Sequence, residues 1–343
     1  MAEKRNKHNY KHLLLIRFSA LGDVAMLPHV VRAFKAEYPE VKITILTREF
    51  LAPLFDGLDV GFLFVDVNGK HKDMAGLWDL AGEIKRLGVD AIADMHGVHR
   101  SRILRRMCFM RALIPNRGIH KGRIEKWFRM GYSRHSAIPL KHTVIRYCGV
   151  LRRLGFSFPA PTPATKPQLK NPMGEKQGTW IGFAPFSAHR GKTYPEDMSE
   201  ELVDLLSQRY DRVFIHSGGG DEAAFAERMA TKYENVEALW SRLSLGQERD
   251  LISHLDCVVT MDSFVMHIAS LVATPTVSVW GATHPEFGYK GYGSSDVGVL
   301  QEEMPCRPCS VYGKKPCKNG TYKCLRAITP EMVVAKVQEI LGK

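Results

Sequence analysis

Long apolar runs are missing from this chain of 343 residues. No hydrophobic stretch reaches the roughly 20 residues that a membrane span needs. The opening MAEKRNKHNYKH is polar and lacks the apolar core of a secretory signal. Both absences point to a soluble protein of the cytoplasm. Two nucleotide signatures are missing as well. No Gly-x-Gly-x-x-Gly follows a first strand, the triple Gly218-Gly219-Gly220 has the wrong spacing for that fingerprint, and no Walker A sequence occurs. That argues against a nicotinamide dehydrogenase and against a P-loop enzyme. Acid is scarce: 36 Asp and Glu stand against 48 Lys and Arg, a net charge of +12. Such a balance implies an acidic partner, whether nucleic acid, a phospholipid surface or a phosphorylated substrate.

Cysteine is sparse too, with seven in all. Cys108, Cys148 and Cys257 sit singly inside apolar or helical patterns and read as reduced core residues. Cys306, Cys309, Cys317 and Cys324 crowd into one stretch and are, by spacing, candidates for a structural zinc site.

What is abundant is alternation of strand and helix. Strands are expected over residues 12–17, 42–47, 61–67 and 90–96, with helices over 24–38 and 73–87 and two more near 121–130 and 142–154. Residues 156–178 carry Pro159, Pro161, Pro163, Pro167 and Pro172 with little periodicity and read as a linker. Alternation resumes with strands at 180–184, 212–217, 257–261 and 276–280, and helices at 195–210, 221–233 and 245–255. The last helix, 330–341, has Thr329 as its N-cap and Pro330 in its first turn. The expectation is an α/β chain of two doubly wound, Rossmann-like domains facing a cleft. They span residues 1–160 and 178–328, with a linker at 161–177 and a terminal helix at 329–343 that packs back on the first domain.

In such sheets ligands bind at the carboxyl ends of the strands. The first strand runs into Arg17-Phe18-Ser19-Ala20-Leu21-Gly22-Asp23, where Gly22 allows a tight turn. Asp23 is there either a helix cap or a carboxylate able to take a proton from a substrate hydroxyl. The 183–196 segment FAPFSAHRGKTYPE puts Ser187 and Lys192 on a loop suited to phosphate. Glu222 opens the helix after the next strand, as a cap or a ribose contact. Asp262 and Ser263 precede a helix carrying His267, and a helix start favours a phosphate group. A basic run comprises Arg100, Arg102, Arg105, Arg106, Arg111, Arg117, Lys121, Arg123, Lys126, Arg129 and Arg134. It is either a solvated face or a docking face, and Trp127 and Phe128 within it hint at a membrane or an amphiphile.

Four segments in order resemble glycosyltransferase family 9, the ADP-heptose:lipopolysaccharide heptosyltransferases. They are RFSALGD at 17–23, FAPFSAHRGKTYPE, DSFVMHIASLVATPTVSVWGATHP at 262–285 and the tail PCRPCSVYGKKPCKNGTYKCLRAITPEMV. The resemblance implies a GT-B fold, an inverting mechanism and no metal or other cofactor. It implies Asp23 as the general base, Ser187 and Lys192 on the donor diphosphate, and Glu222 on the ribose. Asp262, Ser263 and His267 complete the donor site, with Gly22 beside the base. The family commonly has Gly where this chain has Phe264, and often Pro or Asn at Val265. The implied partners are ADP-heptose, an anionic lipopolysaccharide core acceptor and the inner leaflet of the inner membrane, without nucleic acid. Two alternatives stay open at this point: a family relative using another nucleotide sugar, and a basic zinc-containing nucleic-acid-binding protein. The second lacks any recognised reading helix or RNA-binding sheet motif.

Overall fold

The computed structural model describes residues 9–131, 139–293 and 297–342. Their contacts divide the chain into two units, one of residues 1–122 and 143–162, the other of residues 123–142 and 163–343.

The first unit begins with β1 (His12–Ile16), every residue of which is buried. Then follow α1 (Leu21–Ala25), α2 (Leu27–Glu37), β2 (Lys42–Thr47), β3 (Gly61–Phe64), α3 (Met74–Arg86), β4 (Ala91–Asp94), α4 (His99–Ala112) and β5 (Asn116–Gly118). The expected single helix at 24–38 is two: Pro28 lacks an N–H and sits in the first turn of α2, so the chain restarts there. α5 (Arg123–Gly131) groups with the second unit, while α6 (Thr143–Arg153) returns to the first. The sheet order is β3-β2-β1-β4-β5, all parallel. Leu14, Ile16, Leu46 and Ile92 from the sheet meet Leu77, Leu80, Ile84, Leu104 and Met107 from α3 and α4 in one core cluster. Strands buried on both faces read as continuous apolar runs, which is why HLLLI needs no alternation.

The linker has neither helix nor strand, as its prolines require. The second unit contains β6 (Trp180–Ala184), α7 (Glu196–Ser207), β7 (Arg212–Ile215), α8 (Asp221–Lys232), β8 (Val236–Ala238), α9 (Leu245–His254), β9 (Cys257–Met261), α10 (Phe264–Leu271), β10 (Thr276–Trp280), β11 (Gly298–Gln301), α11 (Lys323–Arg326) and α12 (Pro330–Leu341). Its sheet order, β11-β10-β9-β6-β7-β8, is again wholly parallel.

The terminal helix corrects one expectation. α12 belongs to the second unit, where Val333, Val334 and Val337 share a core with Ile181, Leu202, Val259 and Val277. Its valines find an apolar sheet face of their own unit next to them, and burial there satisfies the stripe. Thr329 does cap it, accepting from the Met332 N–H at 3.4 Å. Among the described residues no helix is long and apolar enough to cross a membrane.

Candidate active site

In the second unit, the loop after β6 is closed by its own polar groups. The Ser187 N–H donates to Thr193 Oγ1 at 3.2 Å, and that hydroxyl donates back to Ser187 O at 3.1 Å. Gly191 is required by close approach, since a Cβ there would come within 2.9 Å of the Ala282 Cβ, and the Ala282 N–H donates to Gly191 O. This seating brings Lys192 Nζ to 3.2 Å from Asp262 Oδ2. The same oxygen accepts from Thr283 Oγ1 at 2.9 Å, and Ser187 Oγ donates to the Asp262 carbonyl at 3.1 Å. Ser187, Lys192, Asp262 and Thr283 therefore meet at the carboxyl edge of β6, β9 and β10, where parallel sheets hold ligands.

Ser263 is the N-cap residue of α10, yet its hydroxyl pairs with Thr260 Oγ1 at 3.1 Å and makes no cap bond. The first-turn N–H groups are left to whatever lies in front of that helix. Phe264 occupies the first helical position, half-buried, and His267 is buried one turn on. His142 neighbours His267 in charge terms; burial first, then His267 and Lys290, push it down to about 4, against a bond to the Lys290 carbonyl at 2.8 Å. Glu222 stands apart from this cluster. Its carboxylate accepts the Gly218 N–H at 2.8 Å, holding the glycine loop after β7.

In the first unit, Asp23 lies in α1, whose N-cap is Ala20 with no side-chain cap bond, so the carboxylate does not serve as a cap. It pairs instead with the Arg17 guanidinium. Arg17 is buried, donates from Nη1 to Met95 O at 2.7 Å, and lies 5.8 Å from the Tyr147 ring centroid. Burial alone would depress the guanidinium, but Asp23 foremost holds it above the ordinary arginine value. Tyr147 donates its hydroxyl to the Asp23 carbonyl at 3.0 Å, fixing the turn, and Gly22 precedes it half-buried. The Asp23 side chain keeps 34% exposure, so it remains reachable from solvent. His96 lies beside this pair, edge-on to Phe18 and 3.5 Å from Ser19 Oγ. Burial and the nearby Arg17 and Lys121 charges push it down to about 3, so it is neutral near pH 7. Asp94, fully buried, accepts the His96 and Gly97 N–H groups and ties Ser101 and Arg105 to the β4 end.

The sequence pattern singled out Asp23, Ser187, Lys192 and Asp262 but missed Arg17, Thr193, Thr283, Tyr147 and His142. Arg17, Thr193 and Thr283 lay inside the three strand-end motifs, Thr193 next to Lys192. Tyr147 and His142 carry no local signal, because their roles come from residues more than a hundred positions away.

The basic run is not one face. Arg105 pairs with Asp94, Arg100 bonds the Val67 and Lys72 carbonyls, and Arg111 bonds the Trp78 carbonyl. Lys126 and Arg129 are buried, Lys126 donating to the Tyr289 hydroxyl at 2.7 Å while Trp127 and Phe128 point outward. Arg102, Arg106, Arg117 and Arg123 are exposed, Lys121 is half-buried, and Arg134 lies outside the described residues. The zinc expectation also changes. Cys324 joins the apolar core and Cys306 is exposed, and among the described residues no three metal-ligating side chains gather to hold an ion.

The family described as Glycosyltransferase family 9 (heptosyltransferase) matches residues 77–322, well over half of the chain. A lipopolysaccharide heptosyltransferase 2 of Salmonella typhimurium is 27% identical over 366 aligned residues, covering 96% of this chain and 99% of the relative. Alignments with the first two curated relatives are shorter, spanning 44% and 47% of those proteins. The crystal structure of a family 9 glycosyl transferase from Veillonella parvula superposes with a TM-score of 0.74 at 20% identity, covering 97% of each chain. An Escherichia coli heptosyltransferase solved with ADP gives 0.68 at 21%, covering 96% and 99%. At these identities the likeness speaks for the fold, which is GT-B.

Proposed function

Because this chain belongs to glycosyltransferase family 9, we propose that it is an inverting glycosyltransferase moving heptose from ADP-heptose to a lipopolysaccharide inner-core sugar. The observation that carries this reading is the convergence of Lys192, Ser187 and Asp262 at the sheet edge, 3.2 Å and 3.1 Å apart in the two contacts. A cation, a hydroxyl and an uncapped helix start form a seat for a diphosphate.

Asp23 takes the proton of the acceptor hydroxyl as its oxygen attacks the anomeric carbon, and the bond from that carbon to the diphosphate breaks. ADP departs on the opposite face, so the anomeric configuration inverts through an oxocarbenium-like state. Lys192, Ser187 and the start of α10 stabilise the charge that collects on ADP. Arg17 and Tyr147 fix the Asp23 backbone and carboxylate, which limits how far the base can wander. Glu222 is assigned to the ribose, Ser263 and His267 to the donor sugar side. The exposed Arg117 and Arg123, with Lys121, meet the anionic core acceptor, at the cytoplasmic face of the inner membrane.

A second reading keeps the reaction and changes the donor. Phe264 stands where the family pattern expects glycine, at the first position of α10. A bulky side chain there narrows the approach to the diphosphate and favours a donor of different shape. The deciding experiment incubates the purified protein with ADP-heptose and a heptose-deficient core acceptor, then weighs the product. A mass gain of one heptose with ADP release supports the first reading. Transfer from another nucleotide sugar alone supports the second, and neither outcome with any sugar overturns both.

A further inference from the structure

α4 has satisfied its core with one side. Ser101, Leu104, Met107 and Cys108 are buried against the first unit. Its opposite side carries Phe109, Met110 and Leu113, which are 51%, 67% and 72% exposed. At about 100° per residue, positions 102, 106, 109, 110 and 113 fall within an arc of roughly 100°. Arg102 and Arg106, both exposed, therefore share the face with the three apolar side chains. Arg106 sits about one turn, roughly 5 Å, before the apolar end. Trp78 of α3 is 42% exposed, with the Arg111 guanidinium 4.7 Å over its ring.

From this arrangement we propose that the outward face of α4 docks on an anionic lipid leaflet. Phe109, Met110 and Leu113 enter the boundary between headgroups and acyl chains, and Arg102 and Arg106 hold lipid phosphates above them. This rests on the reading of the acceptor as membrane-held.

Three features choose a bilayer over other occupants. The charge is of one sign: from Met95 to Ile124 the sequence has no Asp or Glu. A negative leaflet complements that stretch, whereas a second copy in a two-fold contact would set arginine against arginine. The apolar residues are large and end on Leu113, whose φ of 52° closes the helix in the left-handed region and leaves the side chain outward. Finally, one modest apolar patch beside a basic one is the two-signal combination that holds peripheral proteins reversibly.

The test uses the full chain with vesicles of phosphatidylcholine alone or with phosphatidylglycerol added. Two variants are compared with the wild type: Phe109→Ser/Met110→Ser/Leu113→Ser, and Arg102→Gln/Arg106→Gln. The wild type should bind the phosphatidylglycerol vesicles, and each variant should bind about tenfold or more weakly. Salt should weaken the wild type far more than the arginine variant. Transfer to an acceptor embedded in vesicles should fall in step, while transfer to a deacylated acceptor stays at the wild-type rate. Circular dichroism and melting report whether each variant folds, and single Met110→Ser serves if the triple variant does not. Vesicle binding that stays at the wild-type level in every folded variant overturns the proposal. So does a wild-type dimer that the serine variant dissociates without loss of vesicle binding, which would assign the face to a second copy. A wild type that binds vesicles through α4 but transfers no heptose would sink the donor reading and leave this one standing.

Discussion

Lys192 Nζ stands 3.2 Å from the buried carboxylate of Asp262, joining the loop after β6 to the end of β9. That carboxylate offsets part of the cation's pull on a diphosphate. The two residues should then act on ADP in opposite directions. Lys192→Ala is expected to weaken ADP and ADP-sugar binding together by about 10- to 100-fold, the scale of one lost charge-assisted contact. Asp262→Asn keeps the Thr283 partner but removes the charge, so ADP should bind a few fold more tightly at low salt. Isothermal titration of ADP into both variants measures this. Equal and unchanged affinities would remove the pair from the donor site.

Asp23→Asn separates chemistry from binding. The base is lost, so turnover should fall by about 10²- to 10⁴-fold while donor affinity is kept. The substitution also leaves the buried Arg17 guanidinium without its carboxylate. Because the Asp23 side chain is a third exposed, the destabilisation is discounted to about 1–3 kcal/mol, below that of a fully buried pair. Activity and ADP binding must be read well below the melting point. A variant with wild-type turnover would leave Asp23 as a structural partner of Arg17 and nothing more.

Transfer should persist in EDTA. The donors assigned to the diphosphate, Lys192 and Ser187 with the α10 start, are protein groups that a chelator does not remove. Activity lost in EDTA and restored by Mg²⁺ would overturn this assignment of leaving-group stabilisation.

Acid should loosen both units in a defined window. Burial pushes His96 in the first unit down to about 3 and His142 in the second down to about 4. The unfolded chain takes up these protons near pH 6.5, well before the folded protein does. Stability is therefore full above about pH 6.5 and falls as the pH drops toward 4. Near pH 5 the loss is at most about 2 kcal/mol per histidine. Melting temperature against pH should flatten over this window in His96→Gln and His142→Gln. An unchanged slope in both variants would assign the acid sensitivity to other groups.

The acceptor assignment has its own measurement. Reversing Arg117, Lys121 and Arg123 to Glu should raise the acceptor KM several fold at low salt, with ADP affinity untouched. Lys126 and Arg129 are left out because both are buried in the second unit. A KM equal to the wild type would make these residues a solvated face.

How much of this was legible in the chain itself depends on the range of the interaction. The runs HLLLI, WIGFA, CVVTM and TVSVW declare buried parallel strands, because a strand covered on both faces is apolar throughout. Thr329-Pro330 marked the start of α12 through capping chemistry confined to four residues. The strand-end motifs also pointed to Ser187, Lys192, Asp262 and Asp23, since ligand sites in such sheets follow from topology. Short strands such as Asn116–Gly118 and Val236–Ala238 escaped notice, being three residues long with no apolar pattern of their own. Only the tertiary structure decided which partner each polar group took. Asp23 went to Arg17 rather than to a helix end, and Glu222 to the Gly218 N–H. The basic run, continuous in sequence, was divided between buried pairing and open surface by helix rotation. The same rotation turned Phe109, Met110 and Leu113 outward, and the valines of α12 entered the core of the second unit because an apolar sheet face lay beside them. Periodicity and caps are set within a few residues of chain, whereas pairing and burial are set by neighbours that the sequence brings together only on folding.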